Sequence, residues 1–199
     1  SRNELAILNN ILLRTDGGRL LVAATNLEIA STQYIGAKIE TPGAITVPAR
    51  LVTEFISSLP HGVIELEVKD SHLHLTADKF SSVINGVIAD EFPELPTVDE
   101  KKAVKFDITV EEFKKSVSQT IIATSSDVSR AVLTGVLWHT YDGSLYLAAT
   151  DGYRLAEKKL LATENEVSAI IPASTLQEVL RCISDGDKKL EINFRTTNN

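Results

Sequence analysis

"LYLAATDGYRLAEK" spans Leu145–Lys158, and "LLVAATNLEIAST" spans Leu20–Thr32. Both carry a leucine, then Ala-Ala-Thr, then an Asn or Asp, at an offset of 125 residues. With residues 6–26 laid over 131–151, nine of the 21 positions are identical without a gap: Ala6/Ala131, Leu8/Leu133, Leu12/Leu137, Thr15/Thr140, Gly18/Gly143, Leu20/Leu145, Ala23/Ala148, Ala24/Ala149 and Thr25/Thr150. "AITVPARLVTEFISSL" (44–59) then echoes "AIIPASTLQEVLRCIS" (169–184) with a one-residue slip, and "IELEV" (64–68) lies over "LEINF" (190–194). Three matches in one order at a nearly constant offset are the mark of a duplicated structural unit. The period is domain-sized.

Within each copy the signals are mostly those of strands. Gly17-Gly18 and Asp142-Gly143 read as hairpin turns. Ile64, Leu66 and Val68 alternate with Glu65, Glu67 and Lys69, the pattern of a sheet with one buried and one wet face. Asp70-Ser71 turns the chain into a second alternating strand, with Leu73 and Leu75 inward and His72 and His74 outward. Three segments read as helices. Thr109-Val-Glu-Glu112 is a capping box ahead of a Phe113, Val117, Ile121 stripe. Pro48 suits a first helical turn and leads into Leu51, Val52, Phe55, Ile56 and Leu59. Pro172 opens the equivalent helix, with Leu176, Val179, Leu180 and Ile183 inward. The expected fold class is α+β, with duplicated domains of two helices each packed on mostly antiparallel sheet. "ADEFPELPTVDEKK" (89–102) reads as the connector, which gives domains of 1–104 and 105–199. The second copy has its helix at 110–124 before the first matched strand, and the first copy would need that stretch before Ser1. The first copy's strands at 72–88 have no counterpart before Asn199. The expectation is a chain cut at both ends.

Composition narrows the class. The 199 residues are 43% hydrophobic and 24% charged, ordinary for a globular protein. No apolar run approaches the roughly 18 residues of a membrane-spanning helix. Ser1, Arg2, Asn3 and Glu4 are polar, so no secretory leader is expected. One cysteine, Cys182, excludes an internal disulfide framework and fits a cytoplasmic setting. The net charge of -7 argues against a uniformly basic nucleic-acid binder, although a local basic patch outweighs the sum.

An enzyme would show a converging polar constellation, and none is legible. His72 and His74 form a possible metal pair, but no further Cys or His completes a site, so two solvent-facing histidines are the expectation. Cys182 falls near an apolar stripe and reads as a buried structural thiol. Gly17-Gly18 is no phosphate loop, since no Lys-Ser/Thr follows on a helix start. Asp151 reads as part of a type I′ turn between strands. Lys114 and Lys115 lie off the stripe of the 110–124 helix, and Arg50 and Arg181 off those of the other two. They read either as solvated faces or as cations offered to one phosphate backbone. Neither a metal nor a cofactor is expected.

"ATNLEI" (24–29), "GAITVPAR" (43–50), "DEFPELP" (90–96), "LTGVL" (133–137) and "ATDGYRLA" (149–156) together resemble the bacterial DNA polymerase III beta subunits, the sliding clamps. The resemblance spans essentially the whole chain. It implies a DNA-clamp fold: most of a first domain, lacking its N-terminal strand and helix, and the front of a second, lacking its C-terminal strands, with the third domain absent. It implies a non-catalytic subunit that pairs head to tail into a dimeric ring around duplex DNA and tethers the replicative polymerase. The implied partners are the DNA polymerase III alpha subunit, the clamp loader, and other polymerases and repair proteins that dock through short linear motifs; no membrane is involved. Carried over by position, the partner-peptide pocket is Leu133, Thr150, Gly152, Tyr153, Arg154 and Leu155. Tyr153 stands where a histidine is common in the family. The other wall of the cleft belongs to parts beyond Asn199, so the chain by itself is expected to bind motif peptides weakly and to close no ring. The first copy has Asn26-Leu27-Glu28 at the same place, expected to continue as plain strand, so only the second copy should dock partners. Arg2 and Arg50 match positions that face the hole; Lys114, Lys115 and Arg181 join them from their helix faces. The competing readings are a duplicated-domain scaffold that binds no nucleic acid, and an enzyme with a cleft between the copies.

Overall fold

The computed structural model describes residues 6–97, 103–184 and 186–195. The chain divides into two compact units, Ser1–Pro96 and Thr97–Asn199, a division eight residues before the boundary expected from sequence. Ala103 and Val104 open a strand of the second unit.

In unit 1, β1 (Asn10–Asp16), β2 (Arg19–Thr25), β3 (Ala30–Gly36) and β4 (Ala44–Pro48) form a four-stranded sheet in the order β3-β2-β1-β4. Every pairing in it is antiparallel. Helix α1 (Ala49–Ser58) follows, then a second sheet of β5 (Glu65–Lys69), β6 (His72–Ala77) and β7 (Phe80–Asn85). In unit 2, β8 (Ala103–Thr109) leads into helix α2 (Val110–Ile121). Strands β9 (Gly135–Tyr141), β10 (Ser144–Thr150), β11 (Leu155–Ala162) and β12 (Ser168–Pro172) form the sheet β11-β10-β9-β12. Helix α3 (Ala173–Cys182) and β13 (Lys189–Arg195) complete the unit, with β13 antiparallel to β8. The α+β class and the duplication are therefore as the sequence indicates. Of the expected helix pair, the described part of unit 1 shows α1, together with a helical Ala6 and Ile7.

The tight turns follow from their residues. Gly17 and Gly18 have φ of 53° and 86°, and Asp142 and Gly143 have 46° and 65°. These are the doubly left-handed turns whose twist matches that of the flanking strands. Thr109 caps α2 by accepting from the Glu112 N–H at 3.2 Å. The reciprocal half of the box is not made: the Glu112 carboxylate takes the Ser116 hydroxyl at 3.2 Å and the Lys158 ammonium at 3.2 Å instead. Pro48 and Pro172 sit one place before their helices, as N-caps without a side-chain bond.

The core of unit 2 gathers Phe106, Phe113, Val117, Val136, Trp138, Leu145, Leu147 and Leu176 into one cluster. Unit 1 has two smaller clusters. One holds Leu13, Ile45, Val47, Val52, Leu73 and Leu75, and the other Ile7, Leu12, Leu21, Ala23 and Phe92.

Four local expectations change here. The β5 strand is exposed along its whole length, Leu66 and Val68 included, because it is the edge of its sheet and nothing among the described residues covers that face. The α1 stripe is incomplete, since Val52 is buried while Leu51 and Ile56 are exposed. Cys182 is exposed; it lies six residues past the buried Leu176, about 240° around the helix. The first part of the expected connector is not a free linker, because Phe92 is buried in a unit 1 cluster with Ala89 and Leu95 packed against it.

Candidate functional site

Strand β10 ends at Thr150 and β11 begins at Leu155, with those two residues paired across the strands. The four residues between them are held by the side chains of Thr150 and Asp151. The Thr150 hydroxyl accepts from the Gly152 N–H at 3.1 Å and donates to the Arg154 carbonyl at 2.7 Å. The Asp151 Oδ1 accepts from the Tyr153 N–H at 2.9 Å and the Arg154 N–H at 3.0 Å. This is an Asx-type turn, not the type I′ turn expected from Asp-Gly. Gly152 alone among these four takes positive φ, at 94°.

The second Asp151 oxygen accepts from Arg154 Nε at 2.9 Å. The two backbone donors at Tyr153 and Arg154 hold this carboxyl below the usual aspartate range against the opposing cost of desolvation, and the Arg154 guanidinium adds a lesser lowering. The turn thus fixes its charge and presents what remains outward. Tyr153 is 95% exposed and Leu155 69%, an open surface rather than an enclosed pocket.

Leu133 belongs to the 3₁₀ stretch Val128–Thr134, which is two turns joined by a kink at Arg130 (φ -110°, ψ 63°), and is half-buried. Its carbonyl accepts from the Ser125 N–H at 2.8 Å. Asp127 starts this stretch by accepting from the Ser129 N–H at 3.0 Å and the Ser129 hydroxyl at 2.7 Å. The Ser129 bonds, with Arg130 at 3.3 Å, depress the Asp127 carboxyl as well. A Cβ on Gly152 would lie 3.5 Å from Arg130 Nη1, which places the Arg130 guanidinium beside the turn. The stretch carrying Leu133 and the turn carrying Gly152 are therefore neighbours. Val128 and Val132 are 85% and 67% exposed on the same stretch. Arg130 was not singled out from sequence, where it is one more arginine; only the fold brings it to Gly152.

The counterpart in unit 1 is not plain strand. Thr25 Oγ1 accepts from the Leu27 N–H at 3.0 Å and donates to the Ile29 carbonyl at 2.8 Å. Asn26 Oδ1 accepts from the Glu28 N–H at 3.0 Å and the Ile29 N–H at 2.8 Å. Leu27 occupies the left-handed position at φ 74° and is 69% exposed. The two turns are bonded alike, and the shared Thr-Asx pair is the signal that predicts both.

The basic residues divide. Arg50 projects from α1 with its side chain 87% exposed, and binds Glu54 at 2.7 Å. Arg181 projects from α3, 74% exposed, and binds Glu178 at 2.7 Å. On α2, Lys115 is exposed and Lys114 half-buried, both off the buried line of Phe113, Ser116, Val117 and Thr120. Arg2 lies outside the described residues. Among the described residues no group of three or more His, Cys, Asp or Glu could hold a metal ion. The His72 ring bonds through Nδ1 to the Asp70 carbonyl oxygen at 2.6 Å. No helix is long and apolar enough to cross a membrane among the described residues.

Comparison with known proteins agrees over both units. The family model for the DNA polymerase III beta subunit N-terminal domain matches residues 1–96, and that for the central domain matches 107–199. The beta sliding clamp of Synechococcus elongatus is 34% identical over 194 residues, which is 92% of this chain and 50% of that protein. A crystal structure of the Bacillus subtilis DNA polymerase sliding clamp superposes with a TM-score of 0.88 at 27% identity, covering 97% of this chain and 53% of that one. A Pseudomonas aeruginosa sliding clamp solved bound to griselimycin superposes with a TM-score of 0.83 at 28% identity, over 96% of this chain and 53% of that one. The chain spans about half the length of the curated relatives it matches.

Proposed function

The chain belongs to the DNA polymerase III beta subunit family, and on that footing we propose that its two units serve a cytoplasmic sliding clamp. In this reading the full-length protein encircles duplex DNA as a head-to-tail ring. It tethers the replicative polymerase for processive synthesis and performs no bond chemistry of its own. The observation that carries the reading is the match of both units, in order, to consecutive domains of that family.

The charge distribution is compatible with it. A topological link needs little affinity per contact, and sliding requires weak phosphate contacts blind to sequence. Arg50, Lys114, Lys115 and Arg181 are the cations assigned to the DNA side, with Arg2. Each arginine of the described set is partly neutralised by a glutamate one turn away, which favours weak contacts over tight ones.

The partner-docking face is assigned to Leu133, Thr150, Gly152, Tyr153, Arg154 and Leu155. Leu133 and Leu155 offer apolar contact, and Gly152 lets a ligand backbone approach closely. The short linear motifs of the DNA polymerase III alpha subunit, the clamp loader, other polymerases and repair proteins would dock here.

The test uses the full-length protein loaded by its loader onto nicked circular DNA and followed through a sizing column. Retention on circles with loss on linearised DNA is the expected result. Equal retention on both would mean direct contact and overturn the ring.

A further inference from the structure

Strand β6 (His72–Ala77) lies between β5 and β7, and it carries two of the chain's four histidines. Leu73, Leu75 and Ala77 are buried on one face, while His72 and His74 are half-buried on the other. Two residues apart on a strand, the histidines stand about 6.8 Å from each other on one side of the sheet. That is comparable to the roughly 5–6 Å between residues four apart on a helix, an arrangement from which two imidazoles converge on one metal ion. Strands paired on both sides hold β6 in place. The pair is therefore positioned by the fold rather than gathered on binding.

A second observation fixes the protonation of one ring. His72 Nδ1 lies 2.6 Å from the Asp70 carbonyl oxygen. A carbonyl oxygen only accepts, so Nδ1 carries the hydrogen, and the lone pair of the neutral ring is on Nε2. A backbone carbonyl on the far nitrogen is the common support of a metal-binding histidine: it orients the ring and raises the basicity of the free nitrogen. Here the carbonyl is placed by the β5–β6 hairpin turn, where Asp70 and Ser71 take φ of 47° and 62°.

The neighbouring strands set the charge around the rings. On β5, Glu67 is in register with His74 and Lys69 with His72. The Glu67 carboxylate and Lys69 ammonium meet at 2.7 Å, both more than half exposed. On β7 the residues in register are Val83 and Asn85, which carry no charge. The face thus offers two nitrogen ligands beside one compensated carboxylate. Mg²⁺ and Ca²⁺ require oxygen ligands, whereas imidazole suits Zn²⁺, Ni²⁺ and Cu²⁺.

We propose that His72 and His74 form a surface chelate for a divalent first-row transition metal, with water completing its coordination. The affinity comes from the second imidazole, which binds intramolecularly once the first is engaged. Glu67 favours the cation through its charge, and Lys69 opposes it. Only the folded strand presents the pair, so bound metal stabilises unit 1 by mass action.

The probe is Zn²⁺, titrated into the ¹⁵N-labelled 199-residue chain without an affinity tag and followed by calorimetry and by the imidazole ¹⁵N resonances. One-to-one binding is expected. The His72 and His74 rings should shift, His72 at Nε2, while those of His61 and His139 stay in place. His72→Asn and His74→Asn should each weaken binding at least about tenfold. Glu67→Gln should weaken it less and Lys69→Gln should tighten it, which tests the site without altering either ring. A large excess of Mg²⁺ should not compete. Absence of saturable Zn²⁺ binding overturns the proposal. So does binding that both histidine substitutions leave unchanged, or that shifts His139, which faces Glu157 at 4.0 Å, in place of His72 and His74. Displacement by Mg²⁺ overturns it as well, since that is the behaviour of a carboxylate site.

Discussion

The turns Thr25–Ile29 and Thr150–Arg154 make the same four hydrogen bonds, yet hold a leucine at one left-handed position and a glycine at the other. The backbone path is therefore set by the Thr-Asx side chains, and the residue at the strained position is left to other demands. Glycine there lies beside Arg130 in unit 2; leucine at the same place in unit 1 presents an exposed apolar side chain. At their sheets, α2 packs on the one in unit 2, while nothing among the described residues takes its place in unit 1.

The largest expected effect tests the cover. Trp138→Ala should cost about 4 kcal/mol, because a fully packed aromatic leaves a cavity, while its counterpart Leu13→Ala should cost about 2 kcal/mol, since water already reaches the neighbouring wall. Urea denaturation followed by circular dichroism gives both values, and equal costs would break the contrast.

The strained position gives the next effect. Gly152→Leu should destabilise by about 1–2 kcal/mol, the cost of an L side chain in the left-handed region. Leu27→Asn should stabilise by about 0.5–1 kcal/mol, because asparagine tolerates that region. If Leu27→Asn destabilises instead, the exposed leucine makes a contact that outweighs its strain.

Acid separates the turns without any mutation. The folded Asp151 carboxyl is held below its unfolded value by the Tyr153 and Arg154 donors. Its contribution is therefore present above the unfolded pKa and is lost as pH falls through the lower folded one. Asn26 has no such titration. The Tyr153 and Arg154 amide resonances should move in acid with an apparent pKa below that of a free aspartate. Asp151→Asn should abolish the movement.

The smallest effects concern Arg50 and Arg181. Arg50→Gln and Arg181→Gln should each change stability by less than about 0.5 kcal/mol, as exposed ion pairs contribute little. In the full-length protein each should lower the salt slope of DNA binding by about 1 if the side chain meets a phosphate. An unchanged slope removes that residue from the DNA side.

The duplication, the fold class and the hairpin glycines were legible because they rest on local chemistry and on order along the chain. Leu73 and Leu75 point inward as their alternation requires. Leu66 and Val68 carry the same alternation and are exposed, because periodicity names a face but not what covers it. The Asn26 turn was missed because leucine at the third position hid a geometry that the preceding threonine and asparagine already specify. Arg130 was missed because its proximity to Gly152 arises from a 3₁₀ stretch meeting a strand turn. Cys182 came out exposed because six residues past the buried Leu176 place it about 240° around the helix, off the buried line.

Trp138 is the chain's only tryptophan. It lies between Phe113 and Phe194 with its Nε1 buried and without a hydrogen-bond partner among the described residues. Its emission reports on unit 2 alone, and unit 1 is dark at that wavelength. A protein made of two near-copies thus carries an intrinsic optical label on one of them. Backbone circular dichroism registers both units, so the two signals trace one melting curve only where the copies unfold together.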